Sequence, residues 1–305
     1  MSYRKFIKEN SALIILYGVF LFLPSLISGQ VNAQNIAVTD DMNHLVKLKT
    51  PAKKVVSLSP HTTEILYAAG ATQQIVAAVE YSDYPQAARS LPRVGSGYQL
   101  DIESIVAMQP DLIVGWQSGN SQAQLQLLKK MGFVLYLSEP KTLADIADNL
   151  RDMGQLLGSQ HIAEQEAVKF LSGISALKEK YQQQRKVTVF YQVWQQPLFT
   201  INGEHIISHI IKLCGGENVF KDLSVLSPQV SIESVISKNP DVIVVGAGEA
   251  REDWLVNWEK WSALKAVKNR QLYGIDADLI VRHSPRILQG ANEMCEVLQK
   301  ARKLK

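Results

Sequence analysis

The chain has 305 residues, of which 46% are hydrophobic and 20% are charged, and this composition excludes collagen-like, low-complexity and wholly disordered proteins. Lysine and arginine total 32 against 29 aspartate and glutamate residues, which gives a formal net charge of +3. A nucleic-acid-binding protein usually carries a marked basic excess, so we expect a globular protein without a nucleic-acid partner.

The first 33 residues have the layout of a secretory signal peptide. Three basic residues within the first eight precede an apolar run over residues 12–23, and small residues at Val31 and Ala33 stand at the positions that signal peptidase reads. This predicts cleavage after Ala33 and a periplasmic protein. A retained membrane anchor is the alternative, although the run is short against the span of about 20 apolar residues that a bilayer requires.

The next segments predict a hairpin and a first α/β unit. Residues 36–48 alternate in polarity around a turn at 40–43, which predicts a β-hairpin. A strand over residues 53–58 leads through Ser59 and Pro60 into a helix, for which we expect Thr62 or Thr63 as the N-cap.

A long internal repeat indicates two similar halves. Residues 102–115 recur as residues 232–245 at an offset of 130, and seven of the 14 paired positions are identical. Each copy predicts a short helix, a break at Pro110 or Pro240, and an apolar strand. The second half also predicts a strand over 187–193 and a helix over 206–213. An offset this long indicates two related domains rather than a solenoid.

The predicted fold is α/β, with two three-layer α/β lobes that contain mainly parallel sheets and are joined by a long, rigid interlobe helix. Continuous apolar strands that alternate with helices favour parallel sheets covered on both faces. Residues 143–157 and 163–181 are rich in helix formers, with a break at Ser159. We expect an N-terminal lobe over 34–141, a helical connector over 142–185, a C-terminal lobe over 186–305, and a ligand cleft between the lobes.

The chain has two cysteines, Cys214 and Cys295, and both lie outside the predicted signal peptide. An oxidising compartment favours joining them in a disulfide bond. Two buried free thiols are the alternative.

Motifs for catalysis are weak in this sequence. The G-x-S-x-G elbow and the Walker A loop are absent, and the glycine pair at 246 and 248 lacks the third glycine of a dinucleotide-binding loop. His205 and His209 stand at i and i+4, a spacing that lets two imidazoles face one metal ion, but Ile206 occupies the place of the glutamate that a zinc hydrolase needs. An exported metal-dependent enzyme at these histidines is the alternative from another functional class.

Aromatic residues are frequent in the loops that should follow the parallel strands, where open α/β sheets bind their ligands. These rings are Tyr81, Tyr84, Tyr98, Trp116 and Trp194. A rim of rings with few charges suits a large, flat, partly apolar ligand. A second group of rings at 254, 258 and 261 recurs at helical spacing and predicts packing rather than binding.

Several motifs give the chain a family resemblance from about Lys53 to its end. They are V-V-S-L-S-P at 55–60, Y-S-D-Y-P at 81–85, Q-P-D-L-I-V-G-W at 109–116, C-G-G-E-N at 214–218 and S-P-R-I at 284–287. Together they resemble the cobalamin branch of the periplasmic substrate-binding proteins that carry cobalamin, haem or ferric siderophores. The resemblance implies a non-enzymatic, monomeric protein that delivers cobalamin or a related corrinoid to the permease dimer of an ABC importer in the inner membrane.

The resemblance also implies site residues. Ligand-contacting positions of the family match Tyr81, Trp116 and the loop over 278–282, whereas family aromatics are replaced at Gly97, Ser227, Leu279 and Ile280. Tyr98 and Trp194 offer other rings. The expected ligand contacts are therefore Tyr81, Tyr98, Trp116, Trp194, Asp278, Leu279, Ile280, Val281 and Arg282. The family's cysteine pair matches Cys214 and Cys295. Haem or a ferric siderophore is the alternative ligand, with Tyr81, His61 or His283 as its contacts.

The repeat places Glu103 and Glu233 at equivalent positions, each at the start of a short helix. The resemblance implies that these two carboxylates dock the protein on a permease dimer that offers a basic group from each subunit. The alternative is that each acid only stabilises the dipole of its own helix.

Overall fold

The computed structural model describes residues 35–248 and 252–303, and the predicted signal peptide lies outside these ranges. Among the described residues, none of the helices combines the length and the apolar character that crossing a bilayer would require.

The predicted hairpin is confirmed. Strands β1 (Ile36–Thr39) and β2 (Leu45–Leu48) pair antiparallel. The side chain of Asp40 organises the turn, since Oδ1 accepts hydrogen bonds from the backbone N–H groups of Met42 at 3.0 Å and His44 at 2.7 Å. The Leu137 N–H donates to Oδ2 of the same aspartate at 3.3 Å, which ties the hairpin to the first sheet.

The first lobe is built on four parallel strands in the order β4-β3-β5-β6. Its elements are β3 (Val55–Ser57), α1 (Pro60–Ala68), β4 (Ile75–Ala78), a short 3-10 helix (Gln86–Ser90), α2 (Ile102–Met108), β5 (Leu112–Trp116), α3 (Gln122–Lys130) and β6 (Leu135–Ser138). The expected N-cap at Thr62 or Thr63 is wrong. Ser59 caps α1, with Oγ accepting from the Thr62 N–H at 3.2 Å, because Pro60 fits the first helical position and needs no donor there.

The second lobe also has four parallel strands, in the order β10-β9-β7-β8. Its elements are β7 (Val187–Gln192), α6 (Ile206–Leu213), β8 (Gly216–Asn218), α7 (Ile232–Lys238), β9 (Val242–Ala247), α8 (Glu252–Glu259), α9 (Lys265–Lys268), β10 (Leu272–Asp276), α10 (Ala277–Ile280) and α11 (Ile287–Lys303). Strands β3 and β9 are buried along the residues described, and β7 is buried except at Thr188, as expected of parallel strands with both faces covered.

Two consecutive helices connect the sheets. Helix α4 (Leu143–Leu157) begins with a capping box between Thr142 and Asp145 and ends at Gly158, whose φ of +74° favours glycine. Helix α5 (Gln160–Tyr181) begins three residues earlier than predicted because Ser159 is its N-cap. Over about 33 Å, α5 packs against α1 of the first lobe and against α6 and α11 of the second.

The internal repeat is reproduced in three dimensions. Helices α2 and α7 each have seven residues and begin after a capping side chain, Asp101 or Ser231. Each helix ends at a residue in the left-handed region, Gln109 at φ +47° and Asn239 at φ +43°, before an apolar strand follows. The two-lobed α/β fold predicted from the sequence is confirmed.

Two further predictions concern packing and covalent links. Trp258 is buried, with its ring centroid 5.5 Å from that of Phe190 and its Nε1–H donating to Gln192 Oε1 at 2.7 Å. The predicted packing role of the tryptophan face is thereby confirmed. The predicted disulfide between Cys214 and Cys295 is present and joins the end of α6 to α11.

Candidate functional site

A cleft of about 950 Å³ lies between the two lobes. The loops that follow the strands of both sheets line it, as the position of ligand sites in open α/β sheets leads one to expect. Of the residues predicted to contact a ligand, the lining includes Tyr98 and Trp116 from the first lobe and Trp194 and Val281 from the second. The sequence therefore identified rings on both walls.

Trp194 is an exposed ring of the cleft that two contacts hold in place. Its Nε1–H donates to the Gln196 carbonyl at 3.1 Å, and its ring meets that of Trp254 edge to face with centroids 5.5 Å apart. The side chain is still 49% exposed, so a broad apolar face stays open to a ligand. Ser227, where the family's aromatic residue is missing, also lines the cleft.

Other predicted contacts lie elsewhere. Tyr81 is 77% exposed and stands outside the cleft lining, as do Asp278 and Leu279. Ile280 has no exposed area and belongs to the main hydrophobic core, because α10 turns this side chain inward. Arg282 is 9% exposed and is engaged by carboxylates. For these five residues, ligand contact stays a prediction that their placement does not favour.

The guanidinium of Arg282 is the centre of an interlobe ion-pair cluster. Its Nη1 donates to Glu64 Oε1 at 3.0 Å and to Asp83 Oδ1 at 2.7 Å, both on the first lobe, and its Nη2 donates to Asp278 Oδ2 at 2.7 Å. Arg286 Nε donates to Glu64 Oε2 at 2.9 Å. The Glu64 carboxylate, 3% exposed, therefore joins α1 to the start of α11.

Sequence reasoning missed this cluster. One signal was present, because Glu64 interrupts the otherwise uncharged helix α1, where a buried acid requires a partner. A second signal was the i, i+4 spacing of Arg282 and Arg286. Hydrogen bonding to Arg282 holds the pKa of Asp83 below its usual value against the opposing effect of burial.

Three histidines surround the floor of the cleft. The ring centroid of His61 is 5.2 Å from that of Trp116 and 6.0 Å from that of His283. Burial lowers the pKa of His61 well below its usual value, and burial also lowers the pKa values of His205 and His283 to about 4. All three imidazoles are therefore uncharged at neutral pH.

His61 has both ring nitrogens engaged, Nδ1 with Ser59 Oγ at 3.0 Å and Nε2 with Ser138 Oγ at 3.3 Å. It is also buried beneath the lining rather than exposed in the cleft. His61 therefore has no free nitrogen for an iron atom, and Tyr81 lies outside the lining. Of the contacts considered for haem, only His283 lines the cleft.

The metal-dependent alternative at His205 and His209 receives no support. His205 is the N-cap of α6, and its Nδ1 accepts from the Ile207 N–H at 3.2 Å. In residues 35–248 and 252–303, no group of three or more His, Cys, Asp or Glu side chains is placed to hold a metal ion. The two histidines do line the cleft, but as uncharged polar groups, since burial lowers both pKa values.

The cleft lining carries little charge. The groups charged at neutral pH among its described residues are Glu139, Lys141 and Glu204. Glu139 is already bonded to Ser118, whose N–H and Oγ donate to its two carboxylate oxygens at 2.9 and 3.0 Å. A large cleft with aromatic walls and few charges is suited to a bulky, largely uncharged ligand.

Glu103 and Glu233 occupy the first turns of α2 and α7, and both side chains are exposed. The backbone N–H at the helix start lowers the pKa of Glu233. Both residues are free to meet a partner, one from each lobe.

Comparison with known proteins gives consistent matches. The family model described as periplasmic binding protein matches residues 55–279. A vitamin B12-binding protein of Vibrio cholerae is 38% identical over 254 residues, which cover 83% of this chain and 91% of that protein. The crystal structure of the periplasmic vitamin B12 binding protein of Vibrio cholerae aligns with a TM-score of 0.77 over 83% of this chain and 99% of that chain.

A more distant structural match shows the fold alone. The periplasmic heme-binding protein from Roseiflexus is 22% identical and aligns with a TM-score of 0.74 over 82% of this chain and 99% of that chain.

Proposed function

The chain belongs to the periplasmic binding protein family, and we propose that it captures cobalamin or a related corrinoid in its cleft and delivers it to an ABC importer in the inner membrane. It is a binding protein and not an enzyme. The observation that carries the ligand assignment is the interlobe cleft, with Tyr98, Trp116 and Trp194 as walls and few charged groups. A corrinoid is bulky, flat and rich in uncharged amides, and the named B12-binding relatives support the same choice.

The test is calorimetric titration of the protein with cyanocobalamin, cobinamide and haemin. We expect saturable binding of a corrinoid with one ligand per protein. Replacing Trp194 by alanine should weaken it about tenfold or more, since a large buried ring often dominates an interface. Tyr84→Ala is the matched control, because this exposed ring lies outside the cleft. Saturable haemin binding without any corrinoid response would refute the proposal.

We further propose that Glu103 and Glu233 dock the protein on the permease dimer. Their support is the repeat, which gives each lobe the same capped helix with an exposed acid in its first turn. The double variant Glu103→Ala, Glu233→Ala should lose association with the permease in a pull-down and keep corrinoid affinity. A control with two exposed acids of other helices, Glu179→Ala and Glu259→Ala, should associate normally. Unchanged association of the first variant would remove the docking assignment.

We also propose for this protein the division into four segments that the sequence predicts. Residues 1–33 act as a signal peptide removed on export, and residues 34–141, 142–185 and 186–305 form the first lobe, the connector and the second lobe. Helices α4 and α5 fall within the proposed connector. Mass spectrometry of the protein from the periplasmic fraction should give an N-terminus at Gln34. A chain that retains residues 1–33 in the membrane fraction would contradict this organisation.

A further inference from the structure

Two polar atoms at the floor of the cleft lack partners. Among the described residues, the buried side-chain nitrogens and oxygens without a hydrogen bond are Trp116 Nε1 and His283 Nδ1. More than nine in ten buried polar groups in folded proteins are paired, so an unpaired one requires a physical explanation. Here two such atoms belong to neighbouring residues of the same cleft.

The two atoms are chemically complementary. The indole nitrogen of Trp116 can only donate a hydrogen bond. A neutral imidazole has one protonated nitrogen and one lone pair, and we assign the lone pair of His283 to Nδ1, which has no partner. Burial lowers the pKa of His283 to about 4, so the ring stays neutral and Nδ1 stays an acceptor at neutral pH.

The two rings lie close together in the cleft, one from each lobe. Trp116 ends β5 in the first lobe, and His283 follows α10 in the second. Their centroids are 6.5 Å apart, and both side chains line the cleft. His61, whose ring lies next to both, has its two nitrogens bonded to Ser59 and Ser138 and therefore forms no hydrogen bond with Trp116 Nε1 or His283 Nδ1.

We propose that Trp116 and His283 together bind one primary amide of the ligand. Trp116 Nε1–H donates to the amide oxygen, and the amide N–H donates to His283 Nδ1. Both atoms are closed to solvent, so this contact requires the lobes to separate slightly as the ligand enters. The inference rests on the proposed function, because corrinoids carry acetamide and propionamide side chains.

This arrangement discriminates between ligand classes. An ionised carboxylate, such as those of haem, can accept from Trp116 but has no proton to donate to His283. It would place negative charge against the lone pair of Nδ1. A ligand with an amide at this point is therefore preferred over the same ligand with a carboxylate.

The test compares cyanocobalamin with its monocarboxylic acids, in each of which one propionamide is hydrolysed, by calorimetry at pH 7.5. We expect at least one acid isomer to bind the unaltered protein about tenfold more weakly than cyanocobalamin, the effect of one unpaired buried hydrogen-bonding group. Trp116→Phe should weaken the binding of both ligands without lowering this ratio, because amide and carboxylate oxygens both accept from its N–H, whereas His283→Phe should reduce the ratio to about one. The double variant should reduce it no further, because both residues serve one group.

The matched control is Trp258→Phe, which removes an indole hydrogen bond outside the cleft and should keep the ratio. If all acid isomers bind the unaltered protein as tightly as cyanocobalamin, or if His283→Phe keeps the ratio, the amide site is refuted while corrinoid binding stands. If the unaltered protein binds no corrinoid, the proposed function fails together with this inference.

Discussion

The interlobe ion-pair cluster should be essential for stability, and Glu64→Gln is the sharpest perturbation of it. Glutamine keeps the size of the side chain but removes the charge that faces Arg282 at 3.0 Å and Arg286 at 2.9 Å. Breaking a buried ion pair by removing one partner costs about 3 to 5 kcal/mol, because the remaining charge stays buried without compensation. Arg282 keeps Asp83 and Asp278, so we expect the lower limit, about 3 kcal/mol.

The assay is thermal unfolding followed by circular dichroism at neutral pH. At about 2 to 4 °C per kcal/mol for a protein of roughly this size, Tm should fall by about 6 to 12 °C. Glu166→Gln is the control, because Glu166, 35% exposed, pairs at 3.2 Å with Lys169, which is 76% exposed, and pairs open to solvent contribute about 0 to 1 kcal/mol. If Glu64→Gln lowers Tm by no more than Glu166→Gln does, the stabilising role of the cluster is wrong.

Three further perturbations have defined outcomes. The pKa of His283 is lowered from 6.5 to about 4, so the unfolded chain binds the proton first, and stability falls with pH below about 6.5. From pH 7.5 to 5 this group alone accounts for a loss of about 2 kcal/mol in urea unfolding, and His61 and His205, whose pKa values burial also lowers, add to the loss. We expect His283→Gln to reduce the loss by about 2 kcal/mol, and an unchanged loss in that variant would contradict this. Replacing Cys214 and Cys295 by serine removes the crosslink that closes a loop of 81 residues and should lower the free energy of unfolding by about 4 kcal/mol. A reductant should lower the stability of the unaltered protein and leave that of the serine variant unchanged. A Cβ on Gly154 would lie 2.4 Å from the Ala163 Cβ, so Gly154→Ala should force α4 and α5 apart and lower the free energy of unfolding by about 1 to 3 kcal/mol. An unchanged Tm would show that the two helices can shift without a loss of stability.

Local patterns predicted most of the fold. The bounds of α4 and α6 agree with the predicted ones because apolar spacing and the adjacent glycines at 158 and 215 specify both ends. The repeat predicted the two lobes for a similar reason, since a segment that recurs with its proline and strand carries its own local structure. The beginning of α5 was misplaced because Gln160, His161 and Ile162 do not distinguish a helix from a loop.

The site was only partly predictable. Rings in loops after strands could be assigned to the cleft from topology alone, as Trp116 and Trp194 illustrate. The pairing of Glu64 with Arg282 could not, because the two residues are 218 positions apart and no local pattern encodes such a contact. Ile280 was included among the expected contacts because residues 278–282 were treated as one loop, whereas Ile280 ends helix α10 and its side chain lies in the hydrophobic core.

Helices α2 and α7 end in the same kind of turn, at Gln109 and Asn239. Gln109 and Asn239 carry the same carboxamide group on side chains that differ by one methylene, and both adopt the left-handed backbone that returns the chain into a buried strand. Each nine-residue stretch from N-cap to this last turn has its own capping bond at its start, and Asn239 Oδ1 also accepts from the Lys265 N–H at 2.9 Å. Exchanging residues 101–109 with 231–239 should therefore keep both helices and the exposed acid in the first turn of each, at the expense of the hydrogen bond from Lys265.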